Sequence, residues 1–131
     1  MNDLKMDEQF EDRFFDDHDK YFTVIAFFMW ILERAKNFKE RIHDFSKEIG
    51  FGNEVLGCIF PTIFESPDEE GYFEEGVEFY GIVGNDEDEI VIDYVMFLKC
   101  VELAYSIYSE KYGRDEEIEK DIEYMHEKYL A

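Results

Sequence analysis

The feature that most restricts how this chain can fold is an apolar stripe made of Tyr21, Val24, Phe28, Ile31, Ala35, Phe38, Ile42, Phe45 and Ile49. Its alternating steps of three and four put every member on one side of a helix and on no common side of a strand. One continuous helix over 21–49 would run ~43 Å at ~1.5 Å per residue, whereas a compact domain of this length is only ~36 Å across. The stripe therefore predicts a helix that bends or breaks, near Lys36 and Asn37. From Tyr21 to Leu32 the segment is apolar nearly all round and belongs at the centre of the fold. Beyond it, Arg34, Lys36, Lys39, Arg41 and Lys47 form a basic face that either lies against the acidic stretch between Glu48 and Leu98 or stays solvated. The bulk of Phe28, Phe38 and Phe45 suits an intramolecular core better than a coiled-coil seam.

The remaining segments read as follows. Residues 1–20 are acidic and predict a short helix or lead-in, with Phe10 and Phe14 able to share a face at i, i+4. Gly50, Gly52 and Asn53 can supply the left-handed cap that ends the long helical segment. Val55 to Phe60 is a short apolar run closed by Pro61, which predicts a strand at an edge or its end. Residues 65–76 carry Pro67, Gly71 and six acids and predict a long loop. Val77, Phe79 and Val83 alternate with Glu78 and Tyr80, residues 85–88 offer turn chemistry, and 89–93 resume an apolar run, a β-hairpin pattern. Asp93 caps a helix striped with Phe97, Leu98, Val101, Tyr105, Tyr108 and Tyr112 and ended by Gly113. A last helix from Asp115 carries Ile118, Ile122, Met125 and Tyr129. The order predicts an α+β fold with N-terminal helices, a small, mainly antiparallel three-stranded sheet and two C-terminal helices. The length fits a single domain over residues 1–131.

Charge narrows what such a fold can meet. Between Glu48 and Leu98 there are fourteen carboxylates and no Lys, Arg or His, in a chain whose net charge is −21. Clustered like charges destabilise the compact state, so a fold that keeps them points to a cationic partner. Nucleic acid and anionic membrane surfaces repel such a chain. With 46% hydrophobic and 18% aromatic residues the chain has the means to build a core, unlike a disordered acidic tail. Interleaved Phe60, Phe64, Tyr72, Phe73, Phe79 and Tyr80 suit a protein partner, since aromatics anchor interfaces. The candidate binding residues are Asp68, Glu69, Glu70, Tyr72, Glu74, Glu75, Glu78, Tyr80, Asp86, Glu87 and Asp88.

Catalytic chemistry is not legible. The chain has no nucleophile motif, phosphate-binding glycine loop, dinucleotide fingerprint or HExxH. The clusters Asp16–Asp19 and Asn85–Glu89 lack the spacing of a metal shell or calcium loop. No catalytic residue, metal or cofactor is expected. Cys58 and Cys100 lie in apolar runs and are expected as buried, reduced thiols. With no basic export leader and no apolar run long enough to span a membrane, a cytoplasmic location is expected.

The segments 76–82 (GVEFYGI), 89–93 (EIVID) and 97–105 (FLKCVELAY) resemble the immunity proteins of bacterial contact-dependent growth inhibition systems, particularly those paired with ribonuclease toxins. The resemblance implies a small cytoplasmic inhibitor that binds a toxin domain tightly, as a monomer in a 1:1 complex, and has no catalysis of its own. It assigns no individual binding residue. Charge points the same way, because a ribonuclease must present cations to its substrate and an acidic inhibitor can occupy that surface. The alternative is an acidic mimic of nucleic acid that blocks a DNA-binding or restriction protein.

Overall fold

The computed structural model describes residues 4–83 and 85–131. Its elements are α1 (Met6–Arg13), α2 (Phe22–Glu33), a 3-10 turn (Ala35–Asn37), α3 (Phe38–Ser46), β1 (Phe51–Gly52), β2 (Leu56–Ile59), a 3-10 turn (Pro61–Ile63), β3 (Val77–Val83), β4 (Asp86–Ile92), α4 (Tyr94–Tyr112) and α5 (Glu116–Tyr129). The strands form an antiparallel sheet in the order β1-β2-β3-β4. The α+β architecture is as the pattern predicts, but the sheet has four strands where three are expected. The added strand is the two-residue β1, too short to show a period and held by pairing Phe51 with Cys58.

The long stripe breaks where its length demands. Arg34 leaves helical geometry at φ −104, ψ 52, the 3-10 turn follows, and α3 restarts at Phe38. Across the break Ile31, Phe38, Ile42 and Phe45 stay buried, so the stripe survives the bend. It ends sooner than the spacing suggests, since Ile49 lies beyond α3 and is half exposed. The left-handed cap falls on Glu48, at φ 58, and not on the glycines that follow. The Ile49 amide donates to the Asp44 carbonyl and the Glu48 amide to that of Phe45, the bonds of a Schellman ending. Gly50 serves close approach instead: a Cβ there would lie 2.2 Å from the Cys58 carbonyl oxygen.

The core is aromatic and sits between α2, α4 and the inner face of β3. Phe79 of β3 meets Phe27 at 5.2 Å and Phe28 at 5.8 Å. Phe97 of α4 packs edge-on against Phe45 at 5.5 Å and Phe60 at 5.6 Å. Helix α1 adds Phe10, stacked on Phe28 at 5.2 Å. On α4 the buried line is Phe97, Val101, Ala104 and Ile107, rotated from the tyrosine stripe read in the sequence. Tyr105 and Tyr108 stand at its margin, where the Tyr105 hydroxyl bonds Glu119 and accepts from the Asp115 amide. A phenol needs a polar partner, which the rim provides for Tyr105. Helix α5 buries Ile118, Ile122, Met125 and Tyr129 as expected. Asp93 and Asp115 cap α4 and α5 through their carboxylates.

Among the described residues the cations of α3 pair with no carboxylate of the central stretch. Lys39 pairs with Asp115 and Glu117 at the start of α5, and Arg41 lies 3.8 Å over the Phe51 ring. The acidic cluster before α2 is a turn, in which the Asp17 carboxylate accepts from the amides of Asp19 and Lys20. Among the described residues no helix is long and apolar enough to cross a membrane.

Two outcomes test this packing. Phe97→Ala should cost ~3–5 kcal/mol by urea unfolding, while Val95→Ala, half exposed on the same helix, should stay within ~0.5 kcal/mol. Cys58 and Cys100 are free and buried, and burial pushes the Cys58 thiol up to about 12 and raises that of Cys100 as well. Neither should react with a thiol reagent within minutes at neutral pH until denaturant is added.

Candidate partner-binding face

Because the helices cover one face of the sheet, the alternation of β3 divides its residues sharply. Val77, Phe79 and Gly81 point into the core, while Glu78, Tyr80 and Ile82 point out. Register carries the division across the sheet. Glu78 stands opposite Val91 and Ile59, Tyr80 opposite Glu89 and Gly57, and Ile82 opposite Glu87. The outer face is thus a mixed surface of carboxylates and apolar groups, with Ile82 at 49% and Val91 at 45% exposure.

Tyr80 is held in place. Its hydroxyl donates to the Asn53 carbonyl at 2.8 Å, and the ring crosses Gly57 and Gly52. A Cβ on Gly57 would sit 2.4 Å from that hydroxyl, so the ring needs the glycine beneath it. Asn53 is itself fixed, since its side-chain oxygen accepts from the amides of Val55 and Leu56. The turn between β1 and β2 and the aromatic wall of the face are therefore one unit.

The sequence-derived candidates fall in three places. Asp68, Glu69, Glu70, Tyr72, Glu74 and Glu75 occupy the loop between β2 and β3. Glu78, Tyr80 and Glu87 lie on the outer face. Asp86 and Asp88 follow the inner phase of β4, where Asp88 stands opposite Gly81 and accepts the Thr23 hydroxyl of α2. They were expected in a turn, but β4 begins at Asp86, opposite Val83, so only residues 84 and 85 join the strands, and Gly84 lies outside the described residues. A two-residue hairpin connection draws the following acids into the ladder.

The loop and the hairpin tip lie at opposite ends of β3, ~20 Å apart at ~3.3 Å per residue. Within the loop, Glu69 is occupied: its carboxylate accepts from the amides of Glu65 and Ser66. Phe64 packs edge-on against Tyr72 at 5.6 Å and Phe73 at 5.7 Å, while Asp68, Glu70, Glu74 and Glu75 face water. Sequence reasoning passed over Glu89, Ile82 and Val91. The period-2 alternation that buries Phe79 also sends Ile82 outward, so that signal was present in β3. Glu89 and Val91 needed the register.

Charge on this side of the molecule is left uncompensated. Among the described residues, Glu48 is the sole carboxylate of the 48–98 stretch in an ion pair, with Lys128 at 3.2 Å. The other pairs lie among the helices, as in Arg13 with Glu110 and Arg114 with Glu119. Burial, and then the nearby Glu89, hold the Glu78 carboxyl above its ordinary range.

A family model described as CDI immunity protein matches residues 19–122, a span that runs from the start of α2 into α5 and includes the whole sheet. A search of curated proteins finds no match.

Glu78 supplies a pH test. Its folded pKa lies above the unfolded one, so ionising it costs stability once the pH exceeds the folded value, and that cost vanishes below the unfolded value. Glu78→Gln should therefore melt above the wild type at neutral pH. The gap should close as the pH falls to ~4, where an unfolded Glu is itself half protonated.

Proposed function

The chain belongs to the CDI immunity protein family, and on that premise we propose that it neutralises a cognate toxin domain by laying the open face of its sheet, with the adjoining acidic loop, over a basic toxin surface. The observation that carries this reading is the unpaired state of the central carboxylates. Some acids of the helices find counter-ions, as Glu110 does in Arg13 and Glu119 in Arg114, whereas among the described residues Glu48 alone of the 48–98 stretch does. A ribonuclease is the toxin class that fits best, because its substrate-binding surface must be cationic. The inhibitor acts in the cytoplasm as one molecule per toxin, without turnover. Tyr80, Ile82 and Val91 stand among the acids, which suits a protein surface with anchor pockets and does not suit a mimic of a phosphate backbone.

Reversing Glu74, Glu75 and Glu78 to Lys should leave the fold intact and weaken capture of the toxin by about tenfold or more. Loss at any single exposed acid of the loop between β2 and β3 should be a few tenths of a kcal/mol. Titrated into a purified cognate ribonuclease, the protein should reach full protection at one equivalent. Association should slow as salt rises, because the Debye length shrinks from ~30 Å at ~0.01 M to ~8 Å at physiological strength. Full protection at trace amounts would replace this reading with a catalytic one, and salt-independent association would assign the acids to solubility.

A further inference from the structure

We infer that Tyr80 divides the binding face into two compartments, an apolar seat for a bulky side chain of the toxin and an acidic hollow for a Lys or Arg beside it. The inference rests on the toxin-binding reading above and specifies its anchor. The seat is a hollow of about 400 Å³ whose walls include Ile49, Gly50, Gly52, Ile59, Ile63 and Tyr80. On its rim Ile49 is 49% exposed and Ile63 is 62% exposed. Two isoleucines left half in water around one concavity mark an interaction site more than scattered surface residues do.

On the other side of the Tyr80 ring lies a second hollow, of about 340 Å³, lined by Glu54, Ile82, Glu87, Asp88 and Glu89. Asp88 is engaged by Thr23, while Glu54, Glu87 and Glu89 form no ion pair among the described residues. An apolar hollow next to uncompensated carboxylates selects an occupant that is itself two-sided. A hydrophobic side chain would fill the first, and a neighbouring cation would enter the second against the face of the Tyr80 ring. Tyr80 is suited to this, because its hydroxyl is bound to Asn53 and no ordering of the wall has to accompany binding. A partner that offered cations alone would leave the isoleucines wet, so the seat gives specificity beyond charge.

The probe is a purified cognate ribonuclease toxin domain, titrated by calorimetry into the wild type, Ile63→Glu, Glu89→Lys and Tyr112→Glu. Ile63→Glu adds a negative charge, which by electrostatics alone should strengthen binding to a basic toxin. Loss of affinity in that variant therefore reports the apolar seat. Ile63→Glu and Glu89→Lys should each bind about tenfold or more weakly, with melting curves close to wild type. Tyr112→Glu, exposed at the end of α4 remote from Asp93, should bind as the wild type does. Wild-type affinity in a folded Ile63→Glu or Glu89→Lys would overturn the two-compartment inference and leave the toxin-binding reading standing. No binding by the wild type would overturn both.

Discussion

The contact between α2 and β3 organises this molecule. Phe27 and Phe28, adjacent on a helix that is apolar nearly all round, both reach Phe79, the buried residue at the middle of the strand. A helix can cover only one side of a sheet, so burying Phe79 exposes Glu78 and Tyr80 by the pleat alone. Phe97 from α4 and Phe10 from α1 then close around the same rings. The aromatic core and the open acidic face are two results of one packing choice.

Electrostatics follows the same division. The strands hold no Lys, Arg or His, and most cations that pair find acids on or beside the helices: Lys39 at the start of α5, Arg13 across to α4, His43 to Asp121, with Lys128 reaching Glu48. Near α4 and α5 these contacts push carboxyls down, most clearly Glu119, which the Arg114 guanidinium and the Tyr105 hydroxyl hold to about 2. On the sheet side the one resolved carboxyl shift, that of Glu78, goes up. A charge imbalance of this kind lowers stability without changing the fold, and the dense core of phenylalanines tolerates it. The capture proposed above would use such a surface, which repels self-association and attracts a cation-bearing toxin quickly.

Some geometry of the candidate face arises from residues with little chemistry of their own. Gly52 and Gly57 stand side by side on β1 and β2 and leave room for the Tyr80 ring, whose hydroxyl reaches the Asn53 carbonyl. The wall between the apolar and acidic hollows thus depends on the absence of two side chains. Glu48, in the left-handed region beside the same hollow, is fixed by its pair with Lys128 and by the Thr62 hydroxyl on its carbonyl.

Local pattern determined much here. The helical stripe with its break, the two aspartate caps, the buried line of α5 and the hairpin were legible because each depends on neighbours within a few residues in the chain. So was the acidity of the central stretch, which is a matter of composition. The tertiary structure alone decided which acids share a surface. The loop acids and the hairpin acids, read as one cluster, stand at opposite ends of a strand, and Asp88 turns inward to Thr23 because the two-residue turn shifts β4 by a register that turn residues alone did not reveal. Likewise β1 exists only through its pairing with β2, and the rotation of α4 that leaves its tyrosines at the rim reflects the partners available there. Side-chain period is written in the chain, whereas register and the choice of covered face arise when distant segments pack, and register placed Glu89 and Val91 beside Tyr80.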